Sequence, residues 1–114
     1  MIIEKESDAA ERGGRVIVEF EADMYRWEAR ADADWFFAAL PSAVSDEVRE
    51  LQSAPSRGFG AVRVQASIGS STWRTSIFPG GDGRYVLPLK RSVRLAEGLE
   101  EGQPVAVRLE IAVA

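Results

Sequence analysis

The stretch STWRTSIFPGGDGRYVLPLK, Ser71 to Lys90, holds the residue types in this chain best suited to gripping something. Arg74, Arg84 and Lys90 fall on one phase of two alternating runs, and Arg63, Arg91 and Arg94 lie nearby in the chain. Guanidinium groups fork onto carboxylate or phosphate oxygens, so this set, with the Ser76 hydroxyl, is a candidate surface for an anion or a protein partner. The plainer reading is that the wet side of a sheet carries charge, partly paired with acids of the first half. Of the two, the plainer one is favoured. The chain contains no His and no Cys. A Ser-His-Asp triad, a Cys-His pair, a His-anchored metal and Cys-ligated zinc are therefore excluded.

Other constellations reduce to local structure. The glycines of PGGDG join one alternating run to another, whereas a phosphate loop sits between a strand and a helix and continues into GK[ST]. Asp82 and the ADAD run, Ala31 to Asp34, lack the spaced oxygens of a calcium loop and read as turn residues. Thr72 lying across from Lys90 reads as a solvated cross-strand contact, not a nucleophile and its base. Trp27, Trp35, Trp73, Tyr25 and Tyr85 sit on apolar phases and belong to the core. Among them Trp27, Trp73 and Tyr85 are the candidates to line a cavity at a barrel mouth. No cofactor motif and no metal-ligand spacing is present, so the expectation is a non-enzymatic protein without a cofactor.

These residues must be positioned by a single domain. The chain has 114 residues, 46% of them apolar, enough for one core. No apolar run reaches the roughly 20 residues of a membrane span. Residues 1–14 begin with an acidic segment and read as a solvated leader, leaving 15–114 as the domain and the cytoplasm as the expected compartment. The net charge of -4 is uneven: residues 1–56 carry thirteen acids and six bases, residues 57–114 five acids and eight bases. Such polarity points towards self-association or a partner, while the overall acidity disfavours nucleic acid.

Val16, Val18, Phe20 and Ala22 alternate with polar residues as in a half-buried strand. The apolar phase then shifts to Tyr25 and Trp27, which implies a bulge near Asp23–Met24. A short buried strand runs from Trp35 to Leu40 and stops at Pro41, with Ser42 or Ser45 capping a helix to about Gln52. Val62 to Ile68 alternates cleanly, and Gly69-Ser70 suits a type II′ turn. That turn pairs Ile68 with Ser71, Ala66 with Trp73, Val64 with Thr75 and Val62 with Ile77. A Pro79–Gly83 loop would then set Ile77 opposite Tyr85, Thr75 opposite Leu87 and Trp73 opposite Leu89, giving a three-stranded meander. Ser92 opens a short helix that Gly98 closes, and Val105, Val107, Leu109 and Ile111 form the last strand.

Two segments share an order of features: Trp27 to Glu50 and Trp73 to Glu97 each run tryptophan, turn, aromatic, Leu-Pro and helix. An internal duplication follows, each half covering the other's apolar sheet face. YVLPLKRSVRLAEGLEEGQPVAVRLE resembles the strand, helix, glycine turn and strand of the double-split β-barrels, which include transition-state regulators and antitoxins. The ordered set FFAALP, VRVQASIG, WRTSIFP, GRYVLPLK and EGQPVAV resembles a narrower bacterial family, domain of unknown function 1905. The resemblance implies a mainly β double-split barrel with two short helices, closed within one chain, and it brings no activity. Gln103-Pro104 departs from the Gly-Asp that the barrel signature favours there. The functional expectation is a small non-catalytic binding or interaction module. Two alternatives stand beside it: a nucleic-acid-associated regulator using the basic sheet face, and a small-ligand barrel.

Overall fold

The computed structural model describes residues 2–5, 14–27, 35–52 and 60–112. Within them the elements are β1 (Ile2–Lys5), β2 (Arg15–Arg26), β3 (Phe36–Ala39), α1 (Ser42–Glu50), β4 (Val62–Ile68), β5 (Ser71–Pro79), β6 (Tyr85–Pro88), α2 (Arg91–Glu97) and β7 (Pro104–Ala112). The sheet runs β1-β2-β3-β6-β5-β4-β7, and β2 also pairs with β7. That extra pairing closes β2, β3, β6, β5, β4 and β7 into an antiparallel barrel. Closure leaves one apolar phase of every strand inside. Val18, Ala66, Ile77, Leu87 and Leu109 are fully buried there, the four larger side chains each stabilising the fold by up to about 1.5–3 kcal/mol.

The β4–β5 hairpin has the register its sequence dictates, from Ile68↔Ser71 to Val62↔Ile77. Gly69 has φ 57° while Ser70 keeps a negative φ, which is the type II′ combination. The next hairpin differs from expectation. β5 and β6 share only Phe78↔Val86 and Pro79↔Tyr85, two residues out of the expected register. The loop is tighter than Pro79–Gly83: Gly80 N–H donates to Arg84 O (2.7 Å) and Gly83 N–H to Gly80 O (3.2 Å). With Gly83 at φ 84°, this is a three-residue loop ending in a glycine bulge. The faces survive because a two-residue slip keeps the phase. The meander does not survive, since β6 leaves β5 at once to pair with β3.

β3 and β6 cross about a local two-fold. Ala38 faces Leu87, flanked by Phe37↔Pro88 and Ala39↔Val86, so adding 49 to a β3 number gives its β6 counterpart. The bonds beyond the ladder obey the same shift: Leu40 N–H donates to Tyr85 O and Leu89 N–H to Phe36 O, both at 2.9 Å. The halves therefore match, but not as the sequence alignment had them. Leu40 corresponds to Leu89, not Leu87. Met24↔Ala38 in one half answers to Ile77 beside Leu87 in the other, so Trp73 is the counterpart of Phe20, not of Trp27.

Several further expectations are corrected. β2 keeps one buried phase through Met24, leaving Tyr25 outside; the bulge lies instead at Gly102–Gln103, where the chain enters β7. There Gly102 N–H donates to Met24 O (2.7 Å) and Met24 N–H to Gln103 O (3.1 Å), with Gly102 at φ 82°. Residues 2–5 of the supposed leader form β1 against Val16–Glu19 of β2. Neither Ser42 nor Ser45 caps α1, whose N-cap is Pro41 without a side-chain bond. Ser45 is buried, its hydroxyl donating to Leu40 O (3.4 Å) and accepting from Tyr85 N–H (3.1 Å). Ser92 likewise lies inside α2, where Lys90 is the N-cap, while Gly98 ends that helix at φ 62° as expected. The ADAD run and residues 53–59 of the Ser53–Gly60 loop fall outside the described residues.

Candidate anion-binding groove

Where β6 parts from β5, a groove of about 800 Å³ opens. Its inner surface is Trp73, Phe36 and Leu89, two of them buried and Phe36 partly so. Trp35 and Phe78 stand at its rim, 57% and 39% exposed. Four cations converge on it: Arg74 from β5, Lys90 from the turn after β6, and Arg91 and Arg94 from α2. No carboxylate is among the described residues lining it.

The groove lies along a strand edge. Trp73 and Thr75 belong to the inward phase of β5 and Arg74 and Phe78 to the outward phase, yet all four line it. A cleft meets both phases of one strand only where it runs beside that strand's unpaired side.

The cations differ in their commitments. Arg94 Nε donates to Leu89 O (3.0 Å), and its guanidinium carbon lies 4.4 Å from the Phe36 ring centre. Under the 49-residue shift Arg94 stands where Ser45 stands in the first half, and both donate to the carbonyl of the preceding leucine. Arg94 thus shapes the groove wall as well as charging it. Arg74 and Lys90 are exposed on the two opposite sides of the cleft.

Of the sequence-level candidates, Arg74, Lys90, Arg91 and Arg94 come together, and Arg63, Ser76 and Arg84 do not join them. Arg63 and Ser76 face one another on the β4–β5 hairpin, outside the groove. Arg84 is tied elsewhere, Nε donating to Leu40 O (2.8 Å) and an Nη to Ala39 O (3.4 Å). Among the cavity candidates only Trp73 lines the groove. Tyr85 is core, with the Arg49 guanidinium 5.7 Å from its ring, and Trp27 stacks on Trp35 at 5.1 Å. Trp35 and Tyr25 are exposed instead of buried, because each sits on the outward phase of its strand. Partial desolvation of the ring, reinforced by the Asp82 carboxylate and opposed by Arg84, holds the Tyr25 phenol above its usual range.

Sequence reasoning missed Trp35, Phe36, Phe37, Phe78 and Leu89 as groove residues. The signal was present in FFAALP: inward residues there are alternate ones, so Trp35 and Phe37 must face out. A smaller depression of about 380 Å³ over β2 and β7 contains Arg108, already bonded to Glu19 at 2.8 Å. Among the described residues, no helix is long and apolar enough to cross a membrane, and no group of three potential ligands could hold a metal ion.

By fold, then, this is a small closed antiparallel β-barrel with a cationic, aromatic-lined groove at the point where two strands separate. The chain belongs to the family described as domain of unknown function (DUF1905), whose model matches residues 20–109. That span contains every groove residue named above. No curated protein matches the sequence.

Proposed function

We propose that the barrel is a non-catalytic binding module and that the groove beside β5 holds an anionic partner. One observation carries this reading: four cations ring an aromatic surface that no described carboxylate lines. In a chain of net charge -4, that local excess runs against the overall balance. A merely solvated sheet face would scatter its charges, whereas these come from separate elements to one cleft. The groove's volume also lies within the roughly 300–1,000 Å³ of ligand clefts. The double-split description and a bacterial cytoplasmic setting belong to the same proposal, supported by the early parting of β5 and β6 and by the bacterial family the motifs resemble. The regulator reading has less support, because Arg63 and Arg84 lie outside the cluster.

The anionic aromatic dye 8-anilinonaphthalene-1-sulfonate provides the test. Titrated into the native protein, it is expected to bind saturably, and the double variant Arg74→Glu with Lys90→Glu should weaken it at least about tenfold. Arg63→Glu should leave the dye's affinity unchanged. Dye binding indifferent to the double reversal contradicts the proposal. Salt-sensitive capture of duplex DNA, lost with Arg63→Glu, would favour the regulator reading instead.

A further inference from the structure

We infer that the groove takes an extended acidic peptide, which adds as a strand to the open side of β5. The inference rests on reading the groove as a binding site and names what occupies it.

The first support is backbone geometry. β5 pairs with β4 along Ser71–Ile77, but on its other side it meets β6 only at Phe78 and Pro79. No strand among the described residues pairs with the rest of that side. Gly80 N–H points to β6, donating to Arg84 O. Backbone direction alternates along a strand, so Thr72, Arg74 and Ser76 aim their N–H and C=O groups into the split. The other end agrees: Ser71 closes the two-residue hairpin against Ile68 and faces β4, which sends Thr72 the opposite way.

The second support is the other half of the barrel. β5 corresponds to β2, and the matching side of β2 carries a short added strand next to its split. There β1 pairs in antiparallel fashion, Ile2 with Glu19 through Lys5 with Val16, before β3 takes over at Met24. A short added strand is therefore something this architecture already accommodates. With Phe20 the counterpart of Trp73, β1 lies just beyond the split, beside the stretch that matches Gly69–Thr72; Phe20–Asp23 on β2 and Trp73–Ile77 on β5 are both open on that side among the described residues.

The third support is chemistry. Exposed edges are often guarded by charge against stray pairing, and Arg74 and Lys90 would serve that end alone. A guard does not require Trp35 and Phe78 to stand exposed beside it, nor Trp73 and Phe36 to line the cleft. An added strand explains both sets. Its side chains alternate, one row resting on the aromatic surface and the other, if acidic, meeting the cations. From Trp73 to Phe78 the edge offers room for about five or six residues at roughly 3.3 Å each.

The probe is a blocked hexapeptide of alternating valine and glutamate, added to the native protein labelled with nitrogen-15. It should slow hydrogen exchange at the Thr72, Arg74 and Ser76 amides at least about tenfold and displace the anilinonaphthalene dye. The same peptide N-methylated at the amides that would meet β5 should do neither, a control that leaves the protein unaltered. A valine–lysine peptide should also fail. If the dye binds in the charge-dependent way above but the valine–glutamate peptide gives no protection, strand addition is overturned while the binding module stands. If dye binding is charge-independent, the binding module itself falls. Protection of those amides that rises with protein concentration, without peptide, would replace the peptide with a second copy of the chain.

Discussion

At the scale of single residues, the matching halves of the barrel solve one problem with different side chains. Each helix must be joined to the strand end before it. In the first half Ser45 does this from a buried position, bridging Leu40 O and Tyr85 N–H. In the second half the same place holds Arg94, which reaches Leu89 O and lays its guanidinium over Phe36. The exchange of a small hydroxyl for a long cation gives the second half a charged wall that the first half lacks at this place. Ser45→Ala would strip the partner from the buried Tyr85 N–H. Urea unfolding should then show a loss of about 1–3 kcal/mol, the cost of an unsatisfied buried donor. Arg84 makes the contrasting point: its charge lies on the same sequence phase as Arg74, yet it is spent on two backbone carbonyls.

Elements differ in how firmly their sequences fix them. The β4–β5 hairpin is over-determined. Its turn holds Gly69 at positive φ, and a Cβ built there would strike the Glu97 carboxylate, which accepts from Ser71 Oγ at 2.6 Å. Gly69→Ala should therefore cost about 1–2 kcal/mol from the left-handed backbone, read as a lower urea midpoint at unchanged slope. This hairpin was legible because a two-residue turn leaves no freedom and every apolar residue votes for one register. The β5–β6 hairpin was not, since three glycines between Pro79 and Arg84 let the loop close in more than one way. Both closures keep the same faces, so periodicity could not separate them. Ser45 misled for a related reason: a serine early in a helix pattern reads as a cap until the strands it bridges are known.

For the whole molecule, the point at which β6 parts from β5 decides whether a site exists. In the expected meander β6 would cover β5 as far as Trp73, and no groove could open. In the structure β6 turns away after Val86, opposite Phe78, to meet β3, and the barrel closes through β2 and β7. The cations were visible in the sequence, but their convergence depends on that split and was not. Trp35 beside them was counted as core, because apolar periodicity alone does not tell an inward ring from an outward one.

The open side of β5 can be examined directly by amide hydrogen exchange in the free protein. Thr72, Arg74 and Ser76 are expected to exchange at least about a hundredfold faster than Trp73, Thr75 and Ile77, whose N–H groups face β4. Uniform protection along β5 in dilute solution would contradict the account, for it would mean that a strand already fills the split.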